Sequence, residues 1–178
     1  MLRRQLGTSL YAGLLFTVLG LLAWVSGQPF IFPSLGPSAF ILAFEQRGKR
    51  TDSSRIVGSH LIGGVAGLVA YAVIAGDVSL TTIPPELSTD GLRLTLSAVV
   101  SMILTSWGMI ATNRVHAPAC ATTLIVSLGL LSTPLQVLTI IVSIVILVEF
   151  HAGIRMLLSR LVDSDHALDA ERSDDLKI

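Results

Sequence analysis

The stretch P-S-L-G-P-S-A-F at residues 33–40 decides how this chain is to be read. It lies in Phe30–Phe44, an apolar run too short to cross a bilayer as one regular helix. A second such run, His116–Leu131, opens with H-A-P-A-C-A-T-T-L at residues 116–124. Proline suits the first turn of a helix, where its missing N–H is no loss, and it biases the preceding residue toward extended backbone. A helix is therefore expected to start at Pro37, with Gly36 non-helical and Pro33–Gly36 extended. From Pro37 to Phe44 such a helix covers only about 12 Å at 1.5 Å per residue. It would begin near mid-membrane, where irregular backbone is tolerated only if it is buried or lines a cavity. Pro118 repeats the arrangement from the other side, starting a helix over Ala119–Leu131.

The runs around these two are longer. Ser9–Gly27, Ile56–Ala75, Gly91–Thr112 and Pro134–Leu157 each approach or exceed the roughly 20 apolar residues that a hydrocarbon core of about 30 Å requires. Only 13% of the 178 residues are charged and mean hydropathy is +0.75, against about 25% charged in soluble domains. An integral, all-α membrane protein follows. Twelve basic residues balance twelve acidic ones, which excludes nucleic-acid binding through bulk positive charge. One cysteine, Cys120, excludes an internal disulfide, and no Cys/His spacing suggests a metal site.

Charge placement sets the number of crossings, because cytoplasmic loops collect Lys and Arg. If all six runs cross with the N-terminus inside, Arg3, Arg4, Arg47, Lys49, Arg50, Arg55, Arg114, Arg155, Arg160, Arg172 and Lys177 are cytoplasmic and only Arg93 is outside. If the short runs re-enter instead, the split falls to 7 against 5. Six crossings with both termini in the cytoplasm is the better reading, and the plasma (inner) membrane the expected location. A shift of 81 residues lays Pro37 on Pro118, Ser9–Gly27 on Asp90–Gly108 and Ile56–Ala75 on the run that starts at Val137. The expected architecture is one transmembrane domain over residues 1–162, followed by an acidic cytoplasmic tail over 163–178. Its four long and two short, Pro/Gly-broken helices form a 3+3 inverted repeat, about 5–76 and 88–158, the plan of many secondary transporters.

Two helix starts facing each other near the midplane would offer free amides at Ser38, Ala39 and Phe40 and at Ala119, Cys120 and Ala121. With the small side chains around them, two partly positive helix ends make a seat for a small monovalent anion. The alternative is a pair of kinked core helices whose amides are capped by neighbouring hydroxyls or by water.

The motif P-S-L-G-P-S-A-F, the basic linker, R-I-V-G-S-H-L-I-G-G and H-A-P-A-C-A-T-T-L together resemble the HPP family of integral membrane proteins, over about residues 5–160. The family's His-Pro-Pro motif stands here as His116-Ala117-Pro118, without the middle proline. The resemblance implies a small membrane domain usually described with four spans, against the six favoured by charge. It also implies nitrite as substrate, through plastid relatives in plants linked to nitrite transport.

Ionisable groups inside a bilayer are functional candidates by default. Glu149 is the one acid deep in an apolar run; a proton-coupling role and a structural pairing are equally open. His60 reads as a site or a packing residue. His151 and Arg155 are expected to snorkel to the interface. Gly63 and Gly67 form a G-x-x-x-G for close helix packing. Ser97, Ser101 and Thr105 recur every fourth residue, as a polar path or bonded to their own helix; Thr122 and Thr123 share that ambiguity.

The expected function is a carrier or channel for a small inorganic anion, passive or proton-coupled. Binding is assigned to Gly36, Pro37, Ser38, Ala39, Phe40, His116, Pro118, Ala119, Cys120 and Ala121, and coupling or gating to His60, Glu149 and Thr122. No catalytic residue, cofactor or metal is expected. The partners are the anion, the lipid bilayer and further copies in a homo-oligomer. The alternative is a non-transporting scaffold or sensor module.

Overall fold

The computed structural model describes residues 2–28, 30, 32–44 and 52–175, with side chains described as far as Arg160 apart from Arg3 and Arg4. The basic linker residues Arg47, Lys49 and Arg50 lie outside the described residues, as do Lys177 and the side chain of Arg172. The chain is helical in the order α1 (Leu2–Ser26), α2 (Leu35–Phe44), α3 (Ser53–Ala70, running on as a π-helical turn over Tyr71–Ala75), α4 (Thr89–Ala111), α5 (Ala119–Ser127) and α6 (Pro134–Asp175). Among the described residues, four helices are long and apolar enough to cross a membrane: Gln5–Ser26, Ser53–Ala75, Thr89–Ala111 and Pro134–Arg160. They fall on the four long apolar runs of the sequence.

The short helices differ in detail from expectation. α2 begins at Leu35, two residues before Pro37, and its turn is closed by Leu35 N–H donating to the Phe32 carbonyl at 3.0 Å. Pro37 still sits in the first turn, where no donor is needed. Gly36 is helical despite preceding proline, because it lacks the Cβ that makes this conformation crowded. α5 stops at Ser127, short of Leu131. Gly129, at φ +75°, reverses the chain there, and its N–H and that of Leu130 close onto Val126 and Ile125.

Hydrogen bonds between elements fix the layout. Arg114 Nη1 donates to the Ser54 carbonyl at 2.6 Å, so the end of α4 lies beside the start of α3. Tyr11 Oη and His151 Nδ1, 3.0 Å apart, join the first half of α1 to the second half of the Pro134–Arg160 span of α6. Ser53, Glu149 and Arg155 line one groove, which brings that part of α6 to the start of α3 as well. At the other end, Ser79 Oγ donates to the Gly129 carbonyl and Leu80 N–H to that of Leu128. α2 thus leads from the far end of α1 back toward the start of α3, and α5 runs the opposite way.

Packing forms two groups of three. α3, α4 and α5 pack on one another, as do α1, α2 and α6, and the two groups meet along α3 and α6. The apolar core belongs mostly to the second group, with Leu15, Leu19, Leu35, Leu42, Ile140, Ile144 and Leu147 almost fully buried. The first group is joined through small residues. A Cβ at Gly63 would lie 2.8 Å from the Ala119 carbonyl oxygen, and one at Gly67 would lie 2.9 Å from that of Thr123. α3 and α5 are therefore close to backbone contact, as the G-x-x-x-G spacing implies.

The start of α3 carries a cap at the membrane surface. Asp52 is the N-cap, its carboxylate accepting from Arg55 N–H at 3.1 Å. The Ser54 hydroxyl and then that amide hold its carboxyl below the usual carboxylate range. A depressed folded pKa adds stability that is present above the unfolded pKa and lost as pH falls through the folded one. Asp52→Ala is expected to lower the detergent-phase unfolding temperature at neutral pH, and the gap from wild type should close on acidification. A gap that persists at acid pH would assign the loss to something other than the charged cap.

Candidate functional site

The interface between the two helix groups holds a buried polar cluster. Ser34, Ser38, His60 and Thr122 have no exposed surface, and His116 is 5% exposed. His60 stands about 10 Å into α3, by rise per residue from Ser53. The α4–α5 connection delivers His116, and α2 delivers Ser38 from the opposite direction. Ser38 Oγ lies 3.2 Å from His60 Nε2, 3.2 Å from His116 Nε2 and 3.2 Å from its own α2 acceptor, the Ser34 carbonyl. The imidazole centroids are 5.4 Å apart. On its far side His60 Nδ1 meets Thr122 Oγ1 at 2.7 Å.

Polar contacts continue behind this cluster. Thr123 Oγ1 lies 2.9 Å from Thr105 Oγ1 and donates to the Ala119 carbonyl at 3.3 Å. Ser97 Oγ donates to the Ser127 carbonyl at 2.8 Å, whereas Ser101 bonds back to Ala98 within α4. The four-residue spacing on α4 is thus a stripe buried against α5, and two of its three hydroxyls cross to that helix. Among the described residues, only Ser34 and Ser127 have a buried side-chain oxygen without a hydrogen-bond partner.

Two arginines close the cluster at the start of α3. Arg55 Nε donates to the Val115 carbonyl at 2.7 Å, and Arg114 reaches Ser54 in return. The guanidiniums therefore flank the backbone next to His116 with their charge on the outer side, Arg55 exposed and Arg114 half-buried. Sequence reasoning used both only as topology markers. Arg55 opens the motif R-I-V-G-S-H and Arg114 stands two positions before His116, which is the signal that could have found them.

The expected site residues divide. Ser38 and His116 meet directly, Ser38 also meets His60, and Thr122 joins through the other nitrogen of His60, the last two being the residues assigned to coupling or gating. Pro118 and Ala119 are buried beside them. The amides of Ala119, Cys120 and Ala121 are not free, because they turn back onto the carbonyls of His116, Ala117 and Pro118 at 3.0–3.1 Å. A tight 3₁₀ turn before α5 satisfies them, as commonly happens at helix starts. The earlier start of α2 likewise puts the amides of Ser38, Ala39 and Phe40 beyond its first turn. Donors in this cluster are therefore side chains rather than backbone.

Five further binding positions put no side chain into these hydrogen bonds. Ala39 belongs to the apolar core with Leu15 and Leu42. Phe40 is exposed and stacks on Phe44 with centroids 5.7 Å apart. Pro37 is exposed, and Gly36 and Cys120 are partly so. Glu149 is exposed on α6, in a groove of about 450 Å³ that also holds Ser53, His151, Arg155 and Ser159. His151 is 3% exposed and bonded to Tyr11, so it does not snorkel; packing of α1 over α6 overrides its closeness to the end of the apolar run. Among the described residues, no group of three or more His, Cys, Asp and Glu is placed to hold a metal ion.

No curated protein and no solved structure matches the chain. The family model described as HPP, transmembrane region, matches residues 2–166, nearly the whole chain. With its apolar spans and its H-A-P turn in place, the chain belongs to the HPP family of transmembrane proteins.

Proposed function

We propose that this protein is a transporter or channel for a small monovalent inorganic anion, with nitrite the foremost candidate, rather than an enzyme. The observation that carries the reading is the convergence of two buried imidazoles on one hydroxyl between the helix groups. Buried polar groups in a membrane chain are costly unless they serve a path or a site. Among the described residues the cluster offers hydroxyl and imidazole donors and no carboxylate, which suits a ligand of single negative charge that must leave as well as bind. Arg55 and Arg114 supply positive potential at the mouth, which raises the local anion concentration without trapping the ion inside. The Ser34 hydroxyl, buried one turn before Ser38, offers a further donor.

In this reading α2 and α5 are the broken helices of a 3+3 inverted repeat with six passes. The opposed directions of α2 and α5, and the order long, short, long in each half, support it. Both termini then face the cytoplasm and the inner membrane is the location. The exposed Glu149, at membrane depth on α6, favours a homo-oligomer in which a neighbouring copy covers that groove. Nitrite comes from the family resemblance; the chemistry of the cluster selects the size and charge class.

The test is nitrite uptake into proteoliposomes, with chloride, nitrate and formate as competitors and internal pH monitored. Saturable nitrite uptake is expected, and the double variant Arg55→Gln, Arg114→Gln should slow it with a weaker dependence on ionic strength. No flux of any small anion through folded protein would overturn the reading in favour of a non-transporting scaffold or sensor.

A further inference from the structure

Hydrogen positions at the cluster follow from counting. Ser38 Oγ has one proton and three neighbours, the Ser34 carbonyl and two Nε2 atoms. The carbonyl can only accept, so all three contacts are hydrogen bonds in one arrangement: Ser38 donates to Ser34, and both imidazoles donate Nε2–H to Ser38. His60, neutral with its proton on Nε2, then accepts at Nδ1 from the Thr122 hydroxyl, in agreement with their 2.7 Å separation. Two N–H donors from the α3–α4–α5 group are thus aimed at a single acceptor atom that belongs to α2.

We infer that the Ser38 oxygen occupies the position of the transported anion, in a closed arrangement in which Ser38 stands in for it. This rests on the anion reading above and assigns its binding point and its competitor. A small monovalent anion, presenting one oxygen or a halide to both Nε2–H groups, replaces Ser38 Oγ. The Ser38 hydroxyl keeps its bond to Ser34 and withdraws with α2. Because α2 packs on α1 and α6 whereas the histidines belong to the other group, the exchange separates the two groups at this point. Occupancy of the site and opening between the groups become one event. The site is selective for acceptors: a cation has no group to replace, and a bulky or divalent anion exceeds the place of one hydroxyl.

The experiment is calorimetric titration of the purified full-length protein with sodium nitrite, wild type against Ser38→Ala. Removing the competitor frees two buried donors, so the variant is expected to bind nitrite at least about tenfold more tightly. Weaker or unchanged binding by the variant would overturn the inference, since Ser38 would then be a direct ligand or a bystander. If Ser38→Ala does not fold, nitrogen NMR of histidine-labelled wild type decides. Protons on both Nε2 atoms, with both signals shifted by nitrite, support the inference; an unprotonated Nε2 facing Ser38 overturns it. Wild-type uptake without tighter variant binding removes this assignment alone, whereas absence of uptake and of binding in both proteins removes the anion reading with it.

Discussion

Overpacking in Gly63→Ala is expected to cost about 1–3 kcal/mol and to leave the protein destabilised, although alanine is the better helix former. The added Cβ would sit 2.7 Å from Thr123 Oγ1 and 2.8 Å from the Ala119 carbonyl oxygen. The hydroxyl can rotate away, but the carbonyl belongs to the first turn of α5 and moves only with the helix. Separating α3 from α5 loosens contacts along the whole pair, including those around Gly67 and Val126. Against this stands a propensity gain of about 1 kcal/mol for alanine over glycine in a helix, smaller than the overpacking term. Gly63→Leu should prevent assembly of the α3–α4–α5 group outright. Gly13→Ala is the control, because a Cβ there meets nothing within 4 Å. Unfolding in detergent micelles measures all three, and a Gly63→Ala protein as stable as wild type would mean that α3 and α5 are not held this closely.

The residues legible in the sequence were those whose physics is local. Four spans follow from length and hydropathy. Pro37 and Pro118 mark short helices for the same reason. His60 and His116 stood out because an imidazole in a bilayer is expensive wherever it is found. What stayed hidden depends on which faces meet. No periodicity could tell that the oxygen of Ser38 would lie between those two histidines, because the three residues sit on three separate elements. The free amides expected at Ala119–Ala121 failed for a conformational reason: the turn 116–118 tightens and consumes them. Glu149 stood out as the one acid deep in an apolar run. The packing of α6 instead turns it outward, into a groove with Ser53 and Arg155.

Loss of one of the two donors should be felt in transport before it is felt in folding. His116→Ala is expected to raise the KM for nitrite about ten- to hundredfold, the worth of a hydrogen bond to a charged group at roughly 1.5–3 kcal/mol. His116 lies in the α4–α5 connection rather than inside a span, so its removal leaves the packing of α3 on α5 in place. His116→Gln retains an N–H donor of similar reach and should recover part of the affinity, whereas His116→Phe, which keeps the ring's bulk without the donor, should not. That order separates donation from space filling. His60→Ala is the harsher change, because it also strips Thr122 of its partner at 2.7 Å and leaves a cavity within α3 packing. Its KM effect should therefore come with a lowered unfolding temperature, while His116→Ala changes KM at nearly constant stability. Equal transport by His116→Ala and wild type would remove this imidazole from the path and leave it as a packing residue between the helix groups.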